Sequence, residues 1–193
     1  MNIQTKLLSA FIASTFAASS FALTSDEIKA EKASIESQYK SAMARCKTMN
    51  GNAKDVCEKE AKGNEKINKA DLDAREKPND STHYKARLAR AEAAYDVAKE
   101  RCDDQSGNAK DVCKKDANAA YVKAKEDAKV NRAQEAPSGS TPAEKAANVS
   151  EARKDAAQET REAQYKAAKE RCDALSGPAK DTCINDAKTR FAQ

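Results

Sequence analysis

Apolar residues are sparse along this chain, and where they occur they keep helical spacing. Ile28, Ile35, Tyr39, Ala42 and Cys46 fall on one face of a predicted helix from Ser25 to about Lys47, with Lys32 interrupting the stripe. Ser25 with Glu27, or Thr24 with Glu27 as a capping box, offers an N-cap at its start. Met49-Asn50-Gly51 ends it, because glycine readily takes the left-handed conformation of a C-terminal cap. Asn52, with Asp55 three residues on, reads as the N-cap of a second helix that runs to about Lys77, where Pro78 stops it. Gly63 inside that helix is expected to weaken it by ~1 kcal/mol relative to Ala.

A second pair of helices follows the polar linker Pro78–Ser81. Tyr84, Leu88, Ala91, Tyr95, Ala98 and Cys102 form a heptad stripe whose small members allow a close partner helix. Gly107 turns the chain, Asn108 reads as a cap, and Cys113, Ala117, Ala120 and Ala124 make the returning face. Residues 135–142, with two prolines and a glycine, cannot continue a helix. In the third unit Tyr165, Ala168 and Cys172 keep the stripe, but the upstream positions are Arg161, Gln158 and Lys154. An alternative stripe through Val149, Ala156 and Ala163 suggests a stutter. Gly177 then turns the chain, and Pro178 suits a first helical turn.

These three units are copies of one stretch: YKSAMARCKTMNGNAKDVCEKEA from Tyr39, YDVAKERCDDQSGNAKDVCKKDA from Tyr95 and YKAAKERCDALSGPAKDTCINDA from Tyr165. Such internal repetition sets the reading of the whole fold. All 6 cysteines lie in the copies, eleven positions apart in each. One member stands in the last turn of one helix and the other in the first turn of the next, where an antiparallel hairpin brings them within disulfide reach. The expected pairs are Cys46–Cys57, Cys102–Cys113 and Cys172–Cys183. Closing each loop is worth ~3 kcal/mol in the chain-entropy model. Tyr39, Tyr95 and Tyr165 are expected as the largest members of the helix seams.

The fold class expected is therefore all-α: three antiparallel hairpins over 23–77, 82–134 and 143–193, each stapled by a disulfide. Composition sharpens this. Residues 1–22 read as an export signal, with Lys6 before an apolar run and Ser20-Phe21-Ala22 as a cleavage site. From Leu23 onward only 15 residues are Leu, Ile, Val or Phe, too few for one compact core, so an extended array is expected. An even cysteine count in an exported chain fits disulfides and a periplasmic address. The net charge of +4 is spread among interspersed signs and is no nucleic-acid footprint. No stretch after the signal is apolar enough to span a bilayer.

Candidate chemistry is thin. His83 is the single histidine, so neither a Ser/His/Asp set nor a histidine-completed zinc site is expected. Phosphate-binding glycine loops are absent, and the Asp and Glu residues, interleaved with Lys and Arg, read as a solvated surface. No cofactor and no enzymatic activity are expected. Two alternatives remain: a cysteine-based metal-binding or redox protein, which needs free thiols, and a small helical holdase chaperone.

The element AKERCD-x-x-SG-x-AKD-x-C, present as Ala98–Cys113 and Ala168–Cys183 with a looser copy at Ala42–Cys57, resembles that of Ala/Lys-rich exported proteobacterial proteins. These proteins are often labelled as the cell envelope biogenesis protein TolA. That label reflects composition. This chain shows neither the anchor with which TolA begins nor its globular C-terminal domain, so the TolA function is not carried over. The resemblance implies a periplasmic address and an all-helical fold with no assigned activity. The expected role is a non-enzymatic structural or interaction protein of the envelope, with a stress-related role as one form of it, whose partner is an envelope protein or a second copy.

Overall fold

The computed structural model describes residues 23–135 and 141–192, and among them the fold is all-helical. Six α-helices follow in order: α1 Ser25–Cys46, α2 Gly51–Glu76, α3 Asp80–Arg101, α4 Gly107–Glu135, α5 Pro142–Cys172 and α6 Gly177–Phe191. A short 3₁₀ turn, Cys102–Asp104, follows α3. Residues 1–22, read as the export signal, lie outside the described residues.

Three of the helix starts show why the chain breaks where it does. Thr24 and Glu27 form the expected capping box: the Thr24 N–H donates to Glu27 Oε2 at 2.8 Å, and the Glu27 N–H donates to Thr24 Oγ1 at 3.3 Å. Thr141 and Glu144 repeat the device at α5, with Pro142 as its first residue. At α3 the Asn79 side chain accepts from the Ser81 and Thr82 N–H groups. Capping at Asn79 draws Asp80 and Ser81 into the helix, so the linker is shorter than the expected Pro78–Ser81. Likewise Glu135 still belongs to α4 and Pro142 already belongs to α5.

Successive helices run antiparallel, and each packs on its neighbours in sequence: α1 on α2, α2 on α3, and so on to α6. The result is a single layer of helices, quasi-one-dimensional in the manner of repeat proteins. Packing does not pause at the hairpin boundaries. The α2/α3 and α4/α5 seams between hairpins are at least as extensive as the seams within them. The buried apolar set is Ile35, Leu72, three cysteines and a run of alanines.

A helix inside such a layer needs two apolar faces, and α3 has both. The heptad stripe carries Tyr95, whose ring stacks on Tyr121 of α4 at 5.0 Å between centroids. A second stripe, buried at Ala86, Ala89 and Ala93, turns toward α2. There Gly63 sits against Ala93, and a Cβ built on Gly63 would come within 2.8 Å of the Ala93 Cβ. Gly63 is thus the point of closest approach between two hairpins rather than a mere weakness in α2.

The same logic corrects the stutter expected in the third unit. Ala156 and Ala163 are buried along the half of α5 whose neighbour is α4, while Cys172 is buried at the α6 end. The two stripes serve two neighbours. Because α6 is 15 residues long against 31 for α5, it ends near Arg161, which shares a groove with Arg190 and Phe191, and the α6-side stripe has nothing to meet further upstream. Lys154 and Gln158 are accordingly exposed.

Gly63→Ala would gain ~1 kcal/mol of helix propensity but force two rigid backbones apart, an overpacking cost of about 1–3 kcal/mol. The expected outcome is a net loss of stability in urea unfolding. Adding Ala93→Gly should recover part of it by restoring the clearance.

Candidate functional site

The repeated turn is the chemical feature shared by all three units. In each, the N–H three residues after the first cysteine donates to that cysteine's carbonyl at 3.0 Å: Met49 to Cys46, Gln105 to Cys102 and Leu175 to Cys172. The glycine that follows is left-handed in every copy, with φ of +58°, +55° and +58° at Gly51, Gly107 and Gly177. A side chain there would be strained even though open space surrounds it. The turn reverses the chain so that the paired cysteines lie 5.4, 5.6 and 5.7 Å apart between Cα atoms. All three expected disulfides are formed, and no cysteine is free.

Each staple sits at the bottom of a seam. Cys46, Cys102 and Cys172 are fully buried, whereas Cys57, Cys113 and Cys183 are half-buried. Tyr39, Tyr95 and Tyr165 are half-buried, two helical turns before the first cysteine of each copy. Tyr95 has the Tyr121 partner already described. The heptad stripe also places the Tyr84 ring 5.1 Å from the Arg132 guanidinium, which itself bonds Asp80 at 3.1 Å.

Asn52 and Asn108 do not cap their own helices as the sequence suggested. Asn50 holds the N-cap position of α2 without a side-chain bond. The Asn52 amide instead donates to the Glu100 carbonyl in the next unit at 3.0 Å, and Asn108 donates to the Glu170 carbonyl at 3.0 Å. Around each bond lie the same ion pairs. Arg101 meets Glu60 at 2.6 Å and Lys59 lies 3.7 Å from Glu100; Arg171 meets Asp116 at 2.5 Å and Lys115 lies 4.0 Å from Glu170.

Charge also locks the turns themselves. Asp103 accepts from Lys114 at 2.8 Å and Lys110 at 2.9 Å, which holds its carboxyl well below the usual range, at about 2. Asp173 with Lys180, at 2.8 Å, is the counterpart in the third unit, and its carboxyl is lowered by the hydrogen bond from that lysine. The first unit has Lys47 and Lys54 at these positions, so the lock is absent there.

One acidic residue departs from the solvated surface that the sequence suggested. Glu126 is 1 % exposed. Its Oε1 accepts from Lys129 at 2.9 Å and lies 3.4 Å from Lys125, while Oε2 has no hydrogen bond. The Lys129 ammonium is raised by its bond to this carboxylate. Spacing alone gave no sign of this, because the residue sits on the second stripe that α4 needs for a second neighbour.

Beyond the turns, open grooves run between helices. The one across α1, α2 and α3, 620 Å³ in volume, is lined by His83, Arg75, Arg87 and Arg90 among others. Each of its three guanidiniums is already held by a carboxylate, from Glu31, Glu135 and Asp71 respectively. Among the described residues no cluster of His, Cys, Asp and Glu is arranged to hold a metal ion, and no helix is long and apolar enough to cross a membrane. Compared with known protein families, curated proteins and solved structures, the chain matches none of them.

Two measurements follow from the turns. Replacing Cys102 and Cys113 together by Ser should cost ~3 kcal/mol, read as a lowered urea midpoint, with the hairpin still helical. For Asp103 the folded carboxyl is depressed from 3.8 to about 2. Its stabilising contribution is therefore complete above pH 4 and disappears as pH falls toward 2. An NMR titration should find the Asp103 carboxyl titrating near 2, rising toward 3.8 in Lys110→Ala/Lys114→Ala.

Proposed function

We propose that this is an exported, non-enzymatic scaffold of the bacterial envelope that presents the broad faces of its helical layer to a protein partner in the periplasm. The observation that carries this reading is the stapled one-layer architecture. A single layer leaves each helix open to solvent on two sides, so the chain offers far more surface than a compact domain of its length. The staples hold that surface in shape with very little apolar core. Disulfides in all three units also suit an oxidising compartment.

The holdase alternative has less to stand on. Among the described residues the exposed large hydrophobics are Met49 and Leu175, each alone on a turn and 41 % and 43 % exposed. Isolated residues of this kind are ordinary, and a cradle for unfolded clients needs a contiguous apolar patch. Metal or redox use of the cysteines requires thiols, and here all six are in disulfides.

The test has two parts. The protein recovered from its native compartment and alkylated without reductant should have the mass of a chain starting at Leu23, six hydrogens short for its 6 cysteines and free of alkyl groups. Photocrosslinkers at the exposed, equivalent positions Asp96 and Lys166 should then give one discrete adduct. Alkylated thiols would refute the stapled scaffold, and a smear of many adducts would favour the holdase.

A further inference from the structure

The junction between neighbouring units is built twice from equivalent positions. In the first, Asn52, Lys59 and Glu60 of α2 meet Glu100 and Arg101 of α3; in the second, Asn108, Lys115 and Asp116 of α4 meet Glu170 and Arg171 of α5. Small residues let the backbones close: Gly63 against Ala93 in the first, with Ala119 and Ala163 at the matching positions of the second.

At the two ends of the array the matching positions carry different residues. On α6, Pro178 stands where Asn is needed and has no amide to donate. Asn185 replaces the lysine, and Thr189 replaces Gly63 or Ala119 at the close approach. On α1, Ala44 replaces the glutamate and Ser37 replaces Ala93 or Ala163. Arg45 and Asp186 alone keep the junction's chemistry, and all seven residues are exposed.

We propose that α1 and α6 are closing edges, whose residues keep a second copy of this chain from stacking end to end. A copy docked with its α1 on α6 would find no amide for the Ala44 carbonyl. Its one ion pair, Arg45 with Asp186, would be a solvent-exposed pair of the kind that contributes little. Thr189 would meet Ser37 where the internal seams need the smallest residues. Polar, non-propagating end units are what soluble repeat arrays require. The edges thus direct any partner to the faces of the layer.

The experiment uses the exported chain with its disulfides oxidised, followed by sedimentation equilibrium from micromolar to submillimolar concentration. The unaltered protein should stay monomeric throughout. One variant rebuilds the α6 edge with Pro178→Asn, Asn185→Lys and Thr189→Ala; the other rebuilds the α1 edge with Ala44→Glu and Ser37→Ala. Each alone supplies one half of the junction and should remain monomeric. Mixed, they should form a heterodimer at least about tenfold tighter than any association of the unaltered chain. Circular dichroism and thiol titration establish that both variants are folded and oxidised. If the triple variant loses helix, Asn185→Lys with Thr189→Ala leaves the turn intact and must show the same pairing. Head-to-tail association of the unaltered protein through α1 and α6 overturns the proposal. So does a mixture of folded variants that stays monomeric.

Discussion

Helix meets helix across alanine throughout this chain, and the depth of the molecule follows from that. Alanine seams let axes approach toward ~8 Å, and they suit helices with strong intrinsic propensity. They bury little apolar area each, so no helix can be wrapped on all sides. The chain settles for one layer, and in one layer the loss of a single helix partner exposes an entire seam. Stapling each hairpin at its turn removes much of the freedom of the unfolded loop just where the seam is narrowest. The full burial of Cys46, Cys102 and Cys172 makes the staple part of the seam as well as its closure.

Between hairpins there is no covalent tie, and a different chemistry takes over. Asn52 and Asn108 reach across to a carbonyl of the next unit, and arginine–carboxylate pairs flank each bond. Individually, exposed pairs of this kind contribute modestly. Their value here lies in register: equivalent residues repeat the contact twice, so the second junction copies the first.

Much of this was legible from residue spacing. The cysteine pairs, the Thr24–Glu27 box, the stop at Pro78 and the left-handed glycines all depend on local chemistry, which sequence displays directly. What escaped was everything that depends on a second neighbour. Spacing displays a single apolar stripe on α3, though Ala86, Ala89 and Ala93 form another, because alanine is equally at home on a solvated face. Asn52 looked like a cap since its position beside a turn is where caps occur, and nothing local reveals a carbonyl 48 residues away. Gly63 looks like a flaw in one helix because the second helix that explains it lies in the next unit. Glu126 was hidden for the same reason.

The placement of the three disulfides has a mechanical side. Each closes a loop inside its own hairpin, and none crosses a junction. Tension applied to the two ends of the chain would therefore be borne by the alanine seams and the polar clasps, never by a sulfur–sulfur bond spanning two units. The layer would peel apart hairpin by hairpin at a low force. Three short closed rings would survive in the extended strand, each still enclosing its turn and its left-handed glycine. On relaxation every unit would begin from an already reversed chain.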